Sequence, residues 1–295
     1  MTQRALLLVN PNARKGEATR SQVKQELQEL GFELIEDPVD APEHFPALIQ
    51  KYQDQVDMVI VGGGDGSVNA AIAGLLDTQL PLGVIPLGTA NNLARSLGVP
   101  SSLPEACRVI AEGHIQKIDL GWVNGQYFFN VAGIGLSTNI NRQVAKGLKR
   151  RWGVIAYAVT AIKLVLTHKH FQAEIRCQGK TIQAETFQIT VCNGRYYGSG
   201  LTVAADAAID DRRLDLCSLE VKTWWEAIPL LPSFIEGEFT DDQRVRTLHA
   251  QELEIHTNPP QAIDTDGEIT TQTPATFRVI PEAISVFAPK ERDEG

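Results

Sequence analysis

The sequence has few cysteines, no uninterrupted apolar run long enough to cross a membrane, and no lysine after its glycine-rich loop. The four cysteines form no CxxC pair, which argues against a zinc site and against a disulfide framework, and predicts a reducing compartment. The longest apolar stretch, 152–167, is interrupted by Lys163, and a span needs about 18 apolar residues. The short run at 5–9 precedes no small-residue cleavage site and is read as a first strand rather than a signal peptide. These absences predict a cytoplasmic protein.

The formal net charge of −9 argues against broad nucleic-acid binding. The charge is unevenly spread, because residues 141–173 contain seven lysines and arginines and no acidic residue. This segment is either the solvated face of a helix or a patch that faces an anionic surface such as a membrane. Trp224 and Trp225 either cover the core or line a lipid-chain groove beside that patch.

Strand-like and helix-like segments alternate along the first part of the chain, which is typical of a parallel sheet covered on both faces. Beyond residue 117 strand-like runs dominate, and Asn124-Gly125 is a strong hairpin signal. The sequence therefore predicts the fold class α/β plus β, with an α/β domain followed by a β-rich domain. Residues 1–119, with a returning segment at about 283–295, form a Rossmann-like nucleotide-binding domain. Residues 120–282 form a β-rich domain, an antiparallel β-sandwich that takes the substrate.

The stretch GGGDG at 62–66 stands between a predicted strand and a predicted helix. That arrangement places free backbone N–H groups at one point and is typical of phosphate sites. It matches neither the Walker A spacing nor the dinucleotide fingerprint, and a tight turn capped by Asp65 or Ser67 is the alternative. A second turn at Gly88-Thr89 repeats the pattern one βα unit later, and Arg95 follows it. Two such turns are expected side by side at one edge of the sheet.

Several motifs together resemble the diacylglycerol kinase catalytic domain family, which includes bacterial lipid kinases and sphingosine kinases. They are NPNARKG, GGGDGSVNAA, GVIPLGTANNLAR, KIDLGWVNGQYFFNVAGIGLST, NGRYYGSGLTVAADAAIDDRRLDL and IDTDGE, in order along nearly the whole chain. The resemblance implies an ATP-dependent lipid kinase that uses Mg²⁺ and takes a lipid such as diacylglycerol from the membrane surface as a peripheral protein. It also implies a role in phospholipid metabolism.

The resemblance assigns roles to individual residues. Glu268 would be the general base, and Asp65 would act in catalysis through Mg²⁺. A structural Mg²⁺ would be held by Asp211 with the carbonyls of Ala208 and Arg213. Asp119 would be another acidic member of the cleft network, and Asn92 would lie in the same cleft. The nucleotide would contact Asn10, Lys15 (or Arg14), Gly62, Gly63, Gly64, Gly66, Gly88, Thr89, Asn91 and Arg95.

The sequence departs from the family pattern at two positions. Asn92 stands where the family usually has aspartate, and Arg212 stands where the DDG segment has glycine. An NAD kinase-like or other small-molecule kinase would share GGDG but not GTANNLAR, and a binding module without catalysis would not be expected to keep all of its acidic residues. The sequence identifies neither the lipid nor the nucleoside triphosphate. The sequence is also compatible with a homodimer.

Overall fold

The structure is a computed structural model that describes residues 3–10, 16–37, 39–135, 170–197, 201–202, 207–221, 223, 226 and 244–290. The chain divides into two compact units, Met1–Leu120 with Pro281–Gly295, and Gly121–Ile280. Several predictions lie outside the described residues. They are those for Arg14, Lys15, Trp224 and Trp225, and the one for residues 141–169 of the basic segment.

The first unit alternates strands and helices. Its elements are β1 (Arg4–Val9), α1 (Gly16–Glu29), β2 (Glu33–Ile35), a 3₁₀ turn (Pro42–His44), α2 (Phe45–Tyr52), β3 (Met58–Gly63), α3 (Asp65–Ala70), α4 (Ile72–Thr78), β4 (Leu82–Pro86), α5 (Asn92–Ser96), α6 (Leu103–Glu112) and the start of β5 (Ile115–Val123). The strands are parallel in the order β2-β1-β3-β4. The last strand of the chain, β18 (Ala275–Phe287), runs parallel to β4 where Val286 pairs with Leu82.

Both faces of this sheet are buried. Leu7 and Ile60 pack in one apolar cluster with Val23 and Leu27 of α1 and Ile110 of α6. Leu6 and Leu8 alternate with Leu7 along β1 and are fully buried as well. Continuous apolar runs such as that of β1 are what a parallel strand covered on both sides requires.

The second unit is built from antiparallel strands. Its further elements are β6 (Gln126–Phe128), β7 (Val131–Gly135), β8 (Phe171–Cys177), β9 (Lys180–Thr186), β10 (Gln188–Cys192), β11 (Tyr196–Tyr197), β12 (Leu201–Thr202), β13 (Leu214–Leu219), β14 (Val245–Ala250), β15 (Glu252–Asn258), β16 (Ala262–Thr265) and β17 (Glu268–Gln272). One sheet has the order β14-β13-β10-β7-β16-β17. In the other, β15 lies between β18 and β8, and β9 follows β8.

The two sheets of the second unit share one core. Ile134 and Leu216 come from the first sheet, and Phe171, Leu253 and Phe277 come from the second. All five side chains are buried in one cluster, so the sheets pack face to face as a β-sandwich. The predicted fold class, α/β plus an antiparallel β-sandwich, is confirmed.

Local predictions have mixed outcomes. Asn124 and Gly125 both have positive φ, 47° and 90°, and join β5 to β6 as the predicted two-residue hairpin turn. Pro46 lies in the first turn of α2. A proline fits there because the first helical N–H groups have no partner within the helix. Helix α6 was not predicted, although Pro104 at its start and Gly113 at its end are ordinary boundary signals.

Candidate active site

The first glycine turn connects β3 to α3. Gly64 is the N-cap residue of α3, in an extended conformation, and Asp65 and Gly66 form the first helical positions. Asn10, just after β1, lies beside this turn. Its N–H donates to Gly62 O at 3.0 Å, and its Nδ2 donates to the Ser67 hydroxyl at 2.8 Å. The end of β1 and the start of α3 are therefore fastened together at the edge of the sheet.

The two glycine turns are in direct backbone contact. A Cβ placed on Gly88 would lie 2.5 Å from Gly64 Cα, and one placed on Gly64 would lie 3.2 Å from Gly88 Cα. Gly63 has a similar restriction, because its Cβ would lie 2.5 Å from Ser67 Cβ. Side chains are thus excluded at Gly64 and Gly88 by the backbone of the facing turn, and at Gly63 by the Ser67 side chain.

Asn91 fixes the shape of the second turn. It has left-handed backbone angles (φ 51°, ψ 49°) and is the N-cap residue of α5. Its Oδ1 accepts the Gly88 N–H at 2.9 Å, and its Nδ2 donates to Gly88 O at 3.2 Å. The Asn91 amide therefore holds the turn, while Thr89 and Arg95 are exposed on either side of it.

Asp65 links the first turn to the second. Its Oδ1 accepts the Leu93 N–H, at 3.3 Å, from the first turn of α5. Burial raises the pKa of the Asp65 carboxyl above its ordinary value, and hydrogen bonds from the main chain of residues 91–93 oppose that rise. The sequence allowed Asp65 to cap α3, the helix that it begins. Its carboxylate instead accepts a hydrogen bond from the first turn of α5.

The residues around Asp65 supply oxygen atoms that suit a magnesium ion. Asn92 is buried, and its Oδ1 has no hydrogen-bond partner among the described residues. A buried acceptor without a donor is costly, so a cation or a water there would stabilise it. Carboxylate and amide oxygens are the ligands that Mg²⁺ prefers, so Asp65 and Asn92 carry the kind of oxygen atoms that this ion would require.

Asp119 lies on β5 and has a main-chain partner. Its side chain is buried, and its Oδ1 accepts the Glu282 N–H at 2.8 Å. Glu282 has a positive φ of 50°, so the carboxylate supports an unusual backbone position in β18. The sequence had placed Asp119 in an acidic network, and the structure gives it this supporting contact.

In the second unit, Glu268 follows a tight turn formed by Asp266 and Gly267. Both turn residues have positive φ, 47° and 95°, and Thr265 pairs with Glu268 across the β16–β17 hairpin. Glu268 is exposed at the start of β17. The hairpin thus presents a carboxylate to solvent at a fixed position.

Asp266 was missed by the sequence analysis. Its Oδ2 accepts the Phe129 N–H at 2.8 Å, and its Oδ1 accepts those of Asn130 and Val131 at 3.1 and 3.0 Å. These three donors fasten the Asp266–Gly267 turn to the chain that enters β7. The Asp-Gly dipeptide indicated a turn, but the partners are more than 130 residues away and could not be read from it.

The Asp211 side chain, which was predicted to hold a structural magnesium, has partners within its own loop. The Asp211 carboxylate accepts the N–H groups of Ala208 and Arg213, and the Arg213 guanidinium lies against it. Within the described residues, no group of three or more His, Cys, Asp or Glu side chains is arranged to hold a metal ion. The Asp211 carboxylate therefore already faces a positive charge of the protein, and the structural magnesium at this loop stays a prediction.

The predicted site residues fall into two sets. The first unit brings together Asn10, the glycines of both turns, Asp65, Asn91 and Asn92. The second unit carries Glu268, Asp211, Ala208 and Arg213. The last three lie on the loop before β13, whereas Glu268 begins β17. Over the described ranges, no helix is long and apolar enough to span a membrane.

Two family models match the chain in succession. The diacylglycerol kinase catalytic domain matches residues 4–123, and the YegS C-terminal NAD kinase beta sandwich-like domain matches residues 130–288. Together they account for both units of the structure.

Similar proteins match over nearly their whole length. A Bacillus subtilis (strain 168) protein named diacylglycerol kinase is 30% identical over 298 residues, which cover 99% of this chain and 98% of the relative. A Staphylococcus haemolyticus protein, named as a proposed lipid kinase, is 26% identical and covers 95% of this chain and 92% of its own. A crystal structure of a proposed diacylglycerol kinase from Bacillus anthracis str. Sterne has a TM-score of 0.79, 26% identity and 97% coverage of both chains.

Proposed function

This chain belongs to the diacylglycerol kinase catalytic domain family and is a lipid kinase of that family, and we propose that it transfers the γ-phosphoryl group of ATP to a hydroxyl group of a membrane lipid such as diacylglycerol. The phosphorus–oxygen bond to the β-phosphate breaks, a bond to the lipid oxygen forms, and the hydroxyl proton passes to a carboxylate of the protein. ADP and the phosphorylated lipid are the products.

The contact between Gly64 and Gly88 is the observation that carries the proposal. That contact brings the two turns side by side at the start of α3 and α5, and oriented N–H groups at such turns hold anions well. Phosphoryl transfer depends on such fixed donors more than on covalent chemistry of the protein. Exposed Arg95 follows the second turn and is suited to a phosphate oxygen.

Asp65 and Asn92 are proposed as the residues that hold Mg²⁺, directly or through water. When bound, the ion would neutralise charge on the phosphate oxygens. The chain's own part is to keep the Asp65 carboxylate in place, which the Leu93 N–H supports. Asn92 adds an oxygen without adding a charge, so the site carries one negative charge less than a pair of aspartates would.

Glu268 is proposed as the general base that takes the proton from the lipid hydroxyl. Its exposure and its position after a rigid turn suit a group that must reach an incoming substrate. Asp266, two residues earlier, is proposed to fix the hairpin that carries Glu268, because its oxygens already accept three main-chain N–H groups.

The lipid is proposed to come from a membrane surface to which the protein binds peripherally. The names of the relatives support a lipid acceptor. Residues 141–173, which contain basic residues and no acidic residue, support attraction to anionic headgroups.

The test is phosphoryl transfer from γ-labelled ATP with Mg²⁺ to a panel of micellar lipids that includes diacylglycerol, with NAD⁺ as a separate acceptor. Labelled lipid is expected from the wild type and not from Asp65→Asn. Labelled NAD⁺ without labelled lipid would contradict a lipid kinase. Glu252→Gln is the matched control for the carboxylates, because Glu252 pairs with Arg278 on the surface of the second unit.

Two variants separate the roles of the carboxylates in the hairpin. Glu268→Gln is expected to lower kcat about 100-fold or more with KM little changed, as loss of a general base does. If Glu268→Gln keeps full kcat, the assignment of the base to Glu268 is wrong, whereas a folded Asp266→Asn is expected to lower kcat by displacing the hairpin.

A further inference from the structure

The loop that leads into β13 is closed by the side chain of Asp211. Its Oδ1 accepts the Arg213 N–H at 3.2 Å, and its Oδ2 accepts the Ala208 N–H at 3.0 Å. Bonds from a carboxylate to the amide two residues later are typical of Asx turns. Both oxygens of Asp211 therefore already have donors from the protein main chain.

The Arg213 side chain places a positive charge between two carboxylates. Its Nε lies 3.2 Å from Asp211 Oδ2 and 3.4 Å from Asp215 Oδ1. The Asp215 side chain is only 4% exposed, and His249 Nδ1, on the neighbouring strand β14, contacts the same Oδ1. Two carboxylates so close together repel each other unless a cation lies between them, and partial burial strengthens that requirement.

Arg212 has the backbone conformation that glycine would adopt easily. Its φ is +60°, at the position where related segments have the glycine of DDG. The loop thus keeps a left-handed residue without the glycine, and the next residue supplies the guanidinium. A divalent cation on Asp211 Oδ2 would lie within a few ångströms of that guanidinium, and the two positive charges would repel each other.

We propose that in this chain the guanidinium of Arg213 takes the place of the structural magnesium that the loop would otherwise hold at Asp211, so that a cation of the protein itself fastens residues 208–215. The stability of the second unit is then independent of divalent metal. This inference concerns the fold of the loop and does not rest on the identity of the lipid or on catalysis.

The experiment measures the Tm of the full chain without nucleotide, after treatment with chelator and again with millimolar Mg²⁺. Any change in the wild-type Tm between the two conditions is expected to be the same in Asp211→Asn, because a magnesium ion held at Asp65 and Asn92 would affect both proteins alike. Arg213→Gln is expected to lower Tm by about 5 °C in chelator, because Asp211 and Asp215 lose their shared cation. Mg²⁺ is then expected to restore part of that loss, and the restoration is expected to disappear in Asp211→Asn/Arg213→Gln.

Two further variants keep the test decisive. Arg213→Lys retains a cation and is expected to behave as the wild type toward Mg²⁺. Arg246→Gln is the matched control, since Arg246 pairs with Glu220 at 2.6 Å on the same unit, and its loss is expected to create no response to Mg²⁺.

A rise of wild-type Tm on adding Mg²⁺ that is lost in Asp211→Asn would overturn the proposal, because the metal site would then exist beside Arg213. A folded Arg213→Gln that responds to Mg²⁺ no more than Arg246→Gln does would overturn it as well. If Arg213→Gln does not fold, the comparison of wild type, Arg213→Lys and Asp211→Asn decides.

Discussion

Gly88 has no room for even one additional carbon atom. The Cβ of an alanine would lie 2.5 Å from Gly64 Cα and 2.6 Å from Asn91 Oδ1. The first of these atoms is backbone, and the second is held by its own hydrogen bonds, so neither can move away cheaply.

Gly88→Ala is expected to lower the free energy of unfolding by about 1–3 kcal/mol and to abolish ATP binding, since the two turns must separate. Gly98→Ala is the matched control. Gly98 has a φ of +69°, and a Cβ placed on it would lie 4.0 Å from its nearest neighbour, Pro289 Cγ. Only the left-handed backbone, about 1 kcal/mol, therefore opposes a side chain there. Calorimetric titration with ATP should separate the variants, and ATP binding by Gly88→Ala with wild-type affinity would contradict the role of this contact.

Asp65 gives the first unit a pH-dependent stability term of known sign. Because burial raises its pKa above the ordinary 3.8, the folded state holds the proton to higher pH than the unfolded state does. The unfolded chain therefore releases the proton first as pH rises, and the wild type loses stability between 3.8 and the raised pKa.

Asp65→Asn removes this term and keeps an acceptor for the Leu93 N–H. The difference in Tm, variant minus wild type, is expected to increase from pH 3.8 toward neutral in metal-free buffer. Thermal scans at several pH values measure it, and a difference that stays constant or decreases would show that Asp65 is not the titrating group.

At the scale of elements, the β16–β17 hairpin is held by one side chain from its own turn. The carboxylate of Asp266 accepts the N–H groups of residues 129–131, which lead into β7. Without this carboxylate those three N–H groups would lose these hydrogen bonds. Its own N–H also donates to Val131 O at 2.8 Å, so the turn and the strand are fastened by four hydrogen bonds from one residue.

Asp266→Ala is expected to lower the free energy of unfolding by about 3 kcal/mol, since donors left without partners are costly. Glu185→Ala, which removes an exposed carboxylate on β9 of the same unit, is expected to cost far less. Urea unfolding compares the two, and equal losses would mean that the hairpin does not depend on the Asp266 carboxylate.

The elements that the sequence predicted are those with local signals. The apolar runs of β1 and β3 and the Asn124–Gly125 turn carry their information within a few residues. The contacts of Asp65 with α5 and of Asp266 with residues 129–131 join distant parts of the chain. No periodicity or dipeptide encodes such partners, so sequence alone could suggest that these acids matter but not what they hold.

At the scale of the whole molecule, β18 contributes to both units. Phe277, near its start, is buried in the core of the sandwich. Phe287, at its end, is buried in the core of the first unit with Leu7 and Ile60. One strand of 13 residues thus supplies a large side chain to each of two cores.

Phe287→Ala and Phe277→Ala are each expected to cost about 3–5 kcal/mol, but in different units. Hydrogen exchange measured by mass spectrometry should show faster exchange in β1, β3 and β4 for the first variant and in β8 and β15 for the second. Phe287→Leu, which keeps most of the apolar volume, is expected to show a smaller effect in the same strands. Uniform acceleration in both variants would mean that the units unfold as one.

The place of β18 in the first unit also has a consequence for biosynthesis. Domains commonly fold in the order in which the ribosome releases them, N-terminal first. Here the first unit lacks its Pro281–Gly295 segment until all of Gly121–Ile280 has been synthesised. We therefore expect the glycine turns, although made earliest, to become competent for nucleotide only after the residues of the sandwich have been synthesised.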